Sequence, residues 1–528
     1  MPAKFEPAAA RCTLFSALIK AARQFGKATP ILEDQERTPL SYGRLIIASL
    51  VLGEKIAAFT RRGETVGVLL PSVMGVGVVV FGLNAFGRVA ALLNFTAGTK
   101  NLRSAVRTGQ IHTILTSRRF IDNAKLDDVV AALANTTTGD GSKVRIVYLE
   151  ELRKTISGAD KLKGAVKAAI AGRVHARHSL GPEAPAVVLF TSGTEGAPKG
   201  VVLTNINLVS NAYQIIAHAS GFFSSKDVVL NPLPVFHCFG LTAAMLMPIF
   251  NGMRTVLYPS PLHYKQVPKL IRETRATVLF ATDTFLQGYI RAADPGDLDT
   301  VRFAVAGAER VKDATRTLWA RTGTTILEGY GATECSPVIC CNLPHSNRSG
   351  SVGPVLQGMD VRLDPVEGIH DGGRLMVSGP NVMAGYLFAE EPGKIVPPKD
   401  GWHDTGDICL LGEDRFVVIQ GRAKRFAKIG GEMVSLAAVE AMAASIWPGA
   451  NHVVVSLPDQ KKGEQLVLVT EQPDAERGAL QVRARQDGYP ELWLPRAVLV
   501  VANIPVLGSG KVDYAATAEL ARTMRSLI

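Results

Sequence analysis

Between residues 191 and 200 the chain reads TSGTEGAPKG, a stretch with three glycines, three hydroxyl side chains and one lysine. Glycine lets backbone N–H groups turn toward an anion with no Cβ in the way. Ser and Thr hydroxyls donate to phosphate oxygens, and Lys199 adds a positive charge beside the turn that Pro198 pre-sets. The combination suits a triphosphate. It is not a Walker A loop, which ends in Gly-Lys-Ser/Thr and opens a helix, because here Lys199 precedes Gly200-Val201-Val202. The plain alternative is a solvated Gly/Thr turn.

Four later stretches carry chemistry of the same kind. In Gly329-Tyr330-Gly331-Ala332-Thr333-Glu334 the glycines allow a close turn, Tyr330 offers a face for stacking and Glu334 a hard oxygen ligand. Magnesium accompanies a triphosphate and takes one or two carboxylates beside phosphate oxygens and water. Trp402-His403-Asp404-Thr405-Gly406-Asp407 presents a carboxylate able to accept both hydroxyls of a ribose, or else an ordinary turn cap. Gly421-Arg422-Ala423-Lys424-Arg425-Phe426-Ala427-Lys428 packs four cations into a short span, and Gly508-Ser509-Gly510-Lys511 carries a lysine on a flexible tip.

These residues need elements to hold them. The apolar run 186–190 reads as a buried strand leading into the 191–200 loop. Before it, 13–25 reads as an amphipathic helix, 30–40 as a hairpin turning at EDQER, and 41 onward as a helix capped by Ser41. Strands and helices then alternate through 66–115 and resume through 228–230, 255–258, 277–281 and 302–306, which predicts a parallel or mixed sheet covered by helices. After Gly350, short segments separated by Gly, Pro and Asp predict a small β domain or barrel. The expected fold is α/β: a large N-terminal domain of stacked αβ subdomains over 1–421, with a β-barrel subdomain near 350–421, a hinge at 422–425, and a small mobile α/β C-terminal domain over 426–528.

Composition narrows the class. A chain of 528 residues exceeds one core, so several domains are expected. Six scattered cysteines form no Cys-x-x-Cys pair, which excludes a zinc or disulfide frame and suits a reducing compartment. The net charge of +11 favours anionic partners such as nucleotides, an acidic protein or a membrane surface. The uncharged stretch 66–87 has the length of a membrane span, but Pro71, Ser72 and its glycines mark it as a buried strand, turn and helix. The basic segment 153–178 reads as a surface helix with a solvated charged face. The first residues lack the apolar core of a signal peptide, so a cytoplasmic location is expected.

Taken together, TSGTEGAPKG, YGATE, TGD, GRAK and the late GK stand in the order and rough spacing of the adenylate-forming, AMP-binding superfamily, and the resemblance covers nearly the whole chain. Within it, GRAKRFAKIGGEMVSLAAVE and LPRAVLVVANIPVLGSGKVDY look most like the acyl-acyl carrier protein synthetase half of bifunctional 2-acylglycerophosphoethanolamine acyltransferase. The resemblance implies an ATP- and Mg²⁺-dependent ligase that joins a fatty acid to AMP and then passes the acyl group to a thiol. The implied acceptor is acyl carrier protein, with CoA the runner-up in a medium- or long-chain acyl-CoA or an aryl-CoA synthetase. It implies no nucleic-acid partner and at most peripheral membrane association. A rival of another class is a nucleotide-binding scaffold without catalysis, against which Lys199, Glu334, Asp407 and Lys511 all stand present.

On that resemblance, Ser192, Gly193, Thr194 and Lys199 hold the β- and γ-phosphates, Glu195 and Gly196 belong to the same ATP-binding loop, and Thr191 and Glu334 lie at the metal. Gly307, Ala308, Glu309, Glu328, Gly329, Tyr330, Gly331, Ala332 and Thr333 line the adenine and the nascent acyl phosphate. Asp407 takes the ribose hydroxyls with Arg422 beside it. Lys511 bridges the carboxylate and α-phosphate oxygens, reducing the repulsion between two approaching anions. Lys424 is the hinge. His237, in Pro234-Val235-Phe236-His237-Cys238-Phe239-Gly240, matches the aromatic gate between carboxylate and thiol, the alternative being a core histidine. One departure falls at Ala281-Thr282-Asp283-Thr284-Phe285-Leu286, where the family usually shows Pro-Thr before its acyl-pocket helix.

Overall fold

The strand–helix alternation of the sequence is present in the computed structural model, which describes residues 4–139, 141–191, 198–369, 371–429, 432–459, 463–506 and 512–526. The chain divides into two compact units. Met1–Asp360 with Ser378–His403 forms the first, and Val361–Val377 with Asp404–Ile528 the second. The boundary read from the sequence at residue 421 runs through the second unit.

Two eight-stranded sheets frame the first unit. In one, Pro30–Asp34, Arg254–Leu257, Val228–Asn231, Val278–Ala281, Phe303–Ala306 and Thr325–Gly331 are parallel neighbours, with antiparallel Leu40–Ser41 and Val338–Cys341 at its ends. In the other, Arg145–Tyr148, Thr113–Thr116, Thr65–Leu69, Val89–Leu92 and Pro185–Thr191 are parallel, and Lys199–Thr204, Gly385–Leu387 and Ile395–Val396 continue it antiparallel. Val89–Leu92, Thr113–Thr116 and Val278–Ala281 are buried at every residue, as parallel strands covered on both faces must be.

The stretch 66–87 is core. It contributes the strand Thr65–Leu69 and the helix Met74–Ala85, whose Val76, Val79, Val80, Phe81 and Leu83 are all buried. Among the described residues no helix is long and apolar enough to cross a membrane. The helix Leu14–Phe25 starts where expected, at Thr13, whose Oγ1 accepts the Ser16 N–H at 3.1 Å. Its next orphan donors are met from elsewhere: Leu14 N donates to Asn205 Oδ1 and Phe15 N to Asn84 Oδ1, each at 3.0 Å. Buried amides thus satisfy a helix end inside the core.

In the second unit, Asp360–Asp364, Gly373–Ser378, His403–Leu411 and Val417–Arg422 form a four-stranded sheet. The sequence predicts a small β domain or barrel near 350–421. Among the described residues the arrangement is this sheet, and two segments of the same stretch, Gly385–Leu387 and Ile395–Val396, belong to the first unit instead. The reason is burial: Leu387 reaches the apolar cluster around Val188 and Val202 when its strand pairs with Lys199–Thr204. The C-terminal part of this unit is a five-stranded sheet of Phe426–Ile429, Glu432–Ser435, His452–Asp459, Gly463–Thr470 and Ala497–Val500. The helices Leu436–Ile446, Arg477–Asp487 and Tyr514–Ser526 accompany it.

Candidate functional site

The strand Pro185–Thr191 turns back into Lys199–Thr204 so that Thr191 stands opposite Lys199. Ser192, Gly193, Thr194, Glu195 and Gly196, between them in sequence, lie outside the described residues. Lys199 is exposed and its Nζ lies 5.3 Å from the ring centre of Tyr386 and 5.4 Å from that of Phe388. Tyr386 and Phe388 alternate along the chain and so face the same side, and their electron-rich faces hold the cation in place. On its other side, the Tyr386 hydroxyl donates to Glu334 Oε1 at 2.6 Å. Two motif residues far apart in the sequence, Lys199 and Glu334, are therefore gathered around one tyrosine that the sequence reading did not single out. The only available signal was the aromatic pair at i and i+2 in Gly385-Tyr386-Leu387-Phe388.

Glu334 sits in the 3₁₀ turn Thr333–Cys335, between the strands Thr325–Gly331 and Val338–Cys341. Gly331 is required there, because a Cβ at that position would lie 2.2 Å from Pro337 O. Three contacts pin the turn: Met383 N donates to Glu334 O at 2.7 Å, Asn381 Nδ2 to Cys335 O at 2.7 Å, and Asn211 Nδ2 to Val338 O at 2.8 Å. The Glu334 carboxylate is half-buried, and among the described residues its Oε2 accepts no hydrogen bond.

Glu328 and Glu309 have other engagements. Glu328 is buried in the middle of its strand, where it accepts Val311 N at 3.1 Å and pairs with Arg316 Nη2 at 2.5 Å. Burial raises its pKa, only partly offset by the Val311 N–H and the Arg316 guanidinium. Glu309 Oε2 accepts both the N–H (3.0 Å) and the hydroxyl (2.8 Å) of Thr284, at the start of the helix Asp283–Ala292. A carboxylate at that position complements the helix dipole, so the departure at 281–286 forms a capped strand-to-helix turn. Just before Glu309, Gly307 is buried against Phe239, while Ala308 is exposed and holds a left-handed backbone, φ +67°. Gly329 and Tyr330 pair with Cys341 and Cys340, half-buried, and Ala332 and Thr333 lead into the Glu334 turn, also half-buried.

His237 is exposed, which rules out the core histidine as an alternative. Its ring centre lies 4.8 Å from that of Phe236, which itself packs edge-on against Phe95 at 5.0 Å. The residue sits at the mouth of a π-helix, Phe239–Leu246, a form often found at functional positions. Asn231 Nδ2 donates to Gly240 O at 2.9 Å, and Ser72 Oγ bridges Leu233 O and Val235 N at 3.2 and 3.1 Å, fixing the loop that presents the histidine.

In the second unit, Asp407 and Arg422 face each other across antiparallel strands, with Arg422 Nε 3.2 Å from Asp407 Oδ1. Asp407 is buried and its N–H donates to Thr405 Oγ1, whereas Arg422 is largely exposed. Lys424 is exposed within the 3₁₀ turn Ala423–Arg425. Its neighbour Arg425 is anchored by Glu440, by Val454 O at 2.9 Å and by the Tyr514 ring at 3.9 Å. Lys511 lies outside the described residues.

Magnesium, which the resemblance implies, fits the donors present. Among the described residues no cluster of three or more His, Cys, Asp or Glu side chains could hold a metal by itself. Mg²⁺ needs no such cage, since one carboxylate plus phosphate oxygens and water suffices. Glu334 and Thr191 would be its protein ligands, and when bound it would neutralise phosphate charge.

Fold and site together fit the class of the adenylate-forming enzymes, with two eight-stranded sheets in a large unit, a smaller C-terminal part, and a Lys199–Tyr386–Glu334 cluster. Comparison with known proteins agrees. The AMP-binding enzyme family profile matches residues 18–387, and the chain belongs to that family. It is 24% identical over 480 residues to a long-chain-fatty-acid–CoA ligase of Haemophilus influenzae, covering 86% of this chain and 84% of that one. It is 31% identical over 344 residues to a long-chain-fatty-acid–CoA ligase of Yersinia pestis, covering 62% and 60%. Among solved structures, an anthranilate CoA ligase in complex with anthranoyl-AMP superposes with a TM-score of 0.78 at 18% identity, covering 99% of this chain and 100% of that one.

Proposed function

We propose that the chain is an ATP-dependent fatty acid ligase that forms acyl-AMP and then an acyl thioester on acyl carrier protein. The observation that carries the ligase reading is the gathering of Lys199 and Glu334 on either side of Tyr386, at the end of the strand that leads to Thr191. A cation and a hard oxygen ligand are what a magnesium–triphosphate needs.

In the first step a substrate carboxylate oxygen attacks the α-phosphorus, the bond to the β-phosphate bridging oxygen breaks, and pyrophosphate leaves. Lys199 and the 191–196 loop hold the β- and γ-phosphates, and Tyr386 orients Glu334 through its hydroxyl. Asp407 accepts the ribose hydroxyls, steadied by Arg422. Lys511 lies between carboxylate and α-phosphate oxygens. In the second step a thiol sulfur attacks the acyl carbon, the acyl–phosphate bond breaks and AMP leaves. His237, exposed at the mouth of its π-helix, serves as the gate, and rotation at Lys424 exchanges the two steps.

Two observations bear on the acceptor. The wording of 421–440 and 494–514 and the +11 charge, complementary to an acidic carrier protein, favour acyl carrier protein. The names of the curated relatives favour CoA as the second reading. The test is pyrophosphate release with a panel of fatty and aryl acids, run with holo-acyl carrier protein, with CoA and with neither. Turnover that requires the carrier protein supports the first reading. Turnover with CoA alone selects the second, and no release with any acid overturns both.

A further inference from the structure

The helix Gly158–Ala169 is turned inside out. Its one buried residue is Gly164, set so close to the helix Tyr42–Ala57 that a Cβ would lie 2.3 Å from Val51 Cγ2. Its large apolar side chains point the other way. Leu162 is 70% exposed, Val166 63% and Ile170, the next residue after the helix, 48%. Spacing of four residues places the three in one row on one face. Ion pairs tie the helix to Tyr42–Ala57: Lys55 to Asp160 at 3.0 Å, Lys163 to Glu54 at 3.2 Å and Lys167 to Glu54 at 2.6 Å.

Cations border the exposed row. Residues 153–178 contain seven Lys or Arg and a single carboxylate, Asp160, which is the partner of Lys55. Lys161 on the helix, and Arg173 and Arg177 shortly after it, are exposed. Past Ile170, Gly172 forms part of the wall of an open cleft of about 490 Å³ whose lining includes Lys20 and Arg23. Aliphatic side chains in one stripe, flanked by lysine and arginine and lacking carboxylates, are the pattern of a helix that lies in a lipid–water interface. No aromatic anchor stands in the row, as a protein interface of stable size would ordinarily have.

We propose that this face, the row Leu162–Val166–Ile170 with the cations around it, docks on the surface of an anionic phospholipid membrane, the helix lying parallel to the plane. The uncharged stretch 66–87 plays no part, being core. The inference rests on the helix alone and stands whichever acyl acceptor the enzyme uses.

The test is flotation of the full chain with vesicles of phosphatidylcholine alone and of phosphatidylcholine mixed with phosphatidylglycerol, at low and high salt. Wild type should bind the mixed vesicles, and salt should weaken the binding. Lys161→Glu/Arg173→Glu/Arg177→Glu should lower that binding roughly a hundredfold. Leu162→Ser/Val166→Ser/Ile170→Ser should lower it at least about tenfold at any salt. Both variants should keep the wild-type thermal midpoint and turnover of dissolved substrate, because the six side chains are exposed. Failure of wild type to bind the mixed vesicles overturns the proposal, as does undiminished binding by the serine variant. A wild-type dimer that the serine variant turns to monomer, with no vesicle binding by either, also overturns it and assigns the row to a second copy of the chain.

Discussion

Tyr386→Phe isolates one hydrogen bond. The substitution keeps the ring that lies 5.3 Å from Lys199 Nζ and removes the hydroxyl that donates to Glu334 at 2.6 Å. A hydrogen bond to a carboxylate is worth roughly 1.5–3 kcal/mol, and Glu334 is half-buried, so the lower end applies. At about 1.4 kcal/mol per factor of ten, adenylation should slow about tenfold. Because the bond orients the carboxylate proposed to meet magnesium, half-saturation by Mg²⁺ should rise as well, while thioester formation from supplied acyl-adenylate stays near wild type. Tyr386→Ala removes the ring too, so it should also raise the KM for ATP by loosening Lys199. The assay is acid-dependent pyrophosphate release against ATP and Mg²⁺, with Glu334→Gln run alongside. Tyr386→Phe within twofold of wild type, while Glu334→Gln is crippled, would show that the tyrosine does not position the carboxylate.

Lys511→Ala should abolish adenylate formation and spare thioester formation from supplied acyl-adenylate; equal loss of both half-reactions would remove Lys511 from its assigned role. Lys424→Pro should leave adenylation and block the thiol step by stiffening the turn Ala423–Arg425, and unchanged thioester turnover would rule out rotation there. Glu328 has a raised pKa in the fold because of burial. The native state therefore holds its proton more tightly than the unfolded chain, and its stabilising contribution is present below the ordinary carboxylate pKa and lost as pH rises through the native value. Thermal midpoints of wild type minus Glu328→Gln should accordingly fall as pH is raised from the acid side; a difference that grows with pH would contradict the assignment.

Much of the candidate site can be proposed from the sequence because its chemistry is local. The residues 191–200, 329–334 and 402–407 each announce an anion, a ligand or a turn through their own types and spacing, and an amphipathic pattern and the Ser41 cap likewise mark the helices begun by Thr13 and Ser41. The long uncharged stretch 66–87 could be resolved from its own proline and glycines into the buried strand and helix that the fold contains. What depends on separation in the chain was hidden. Tyr386 becomes a site residue only because Gly385–Leu387 leaves the β-rich stretch and pairs with Lys199–Thr204, a register set by the burial of Leu387. Glu328 and Glu309 resemble free ligands in sequence, yet tertiary packing gives them Arg316, Val311 and Thr284 as partners. The helix Gly158–Ala169 makes the same point at the surface. Its composition fits a solvated face, and only the contact of Gly164 with Val51 decides that Leu162, Val166 and Ile170 face outward. Local propensity acts over a few residues and can be read from them, whereas which side of an element is buried is a free-energy choice made by the neighbours it meets.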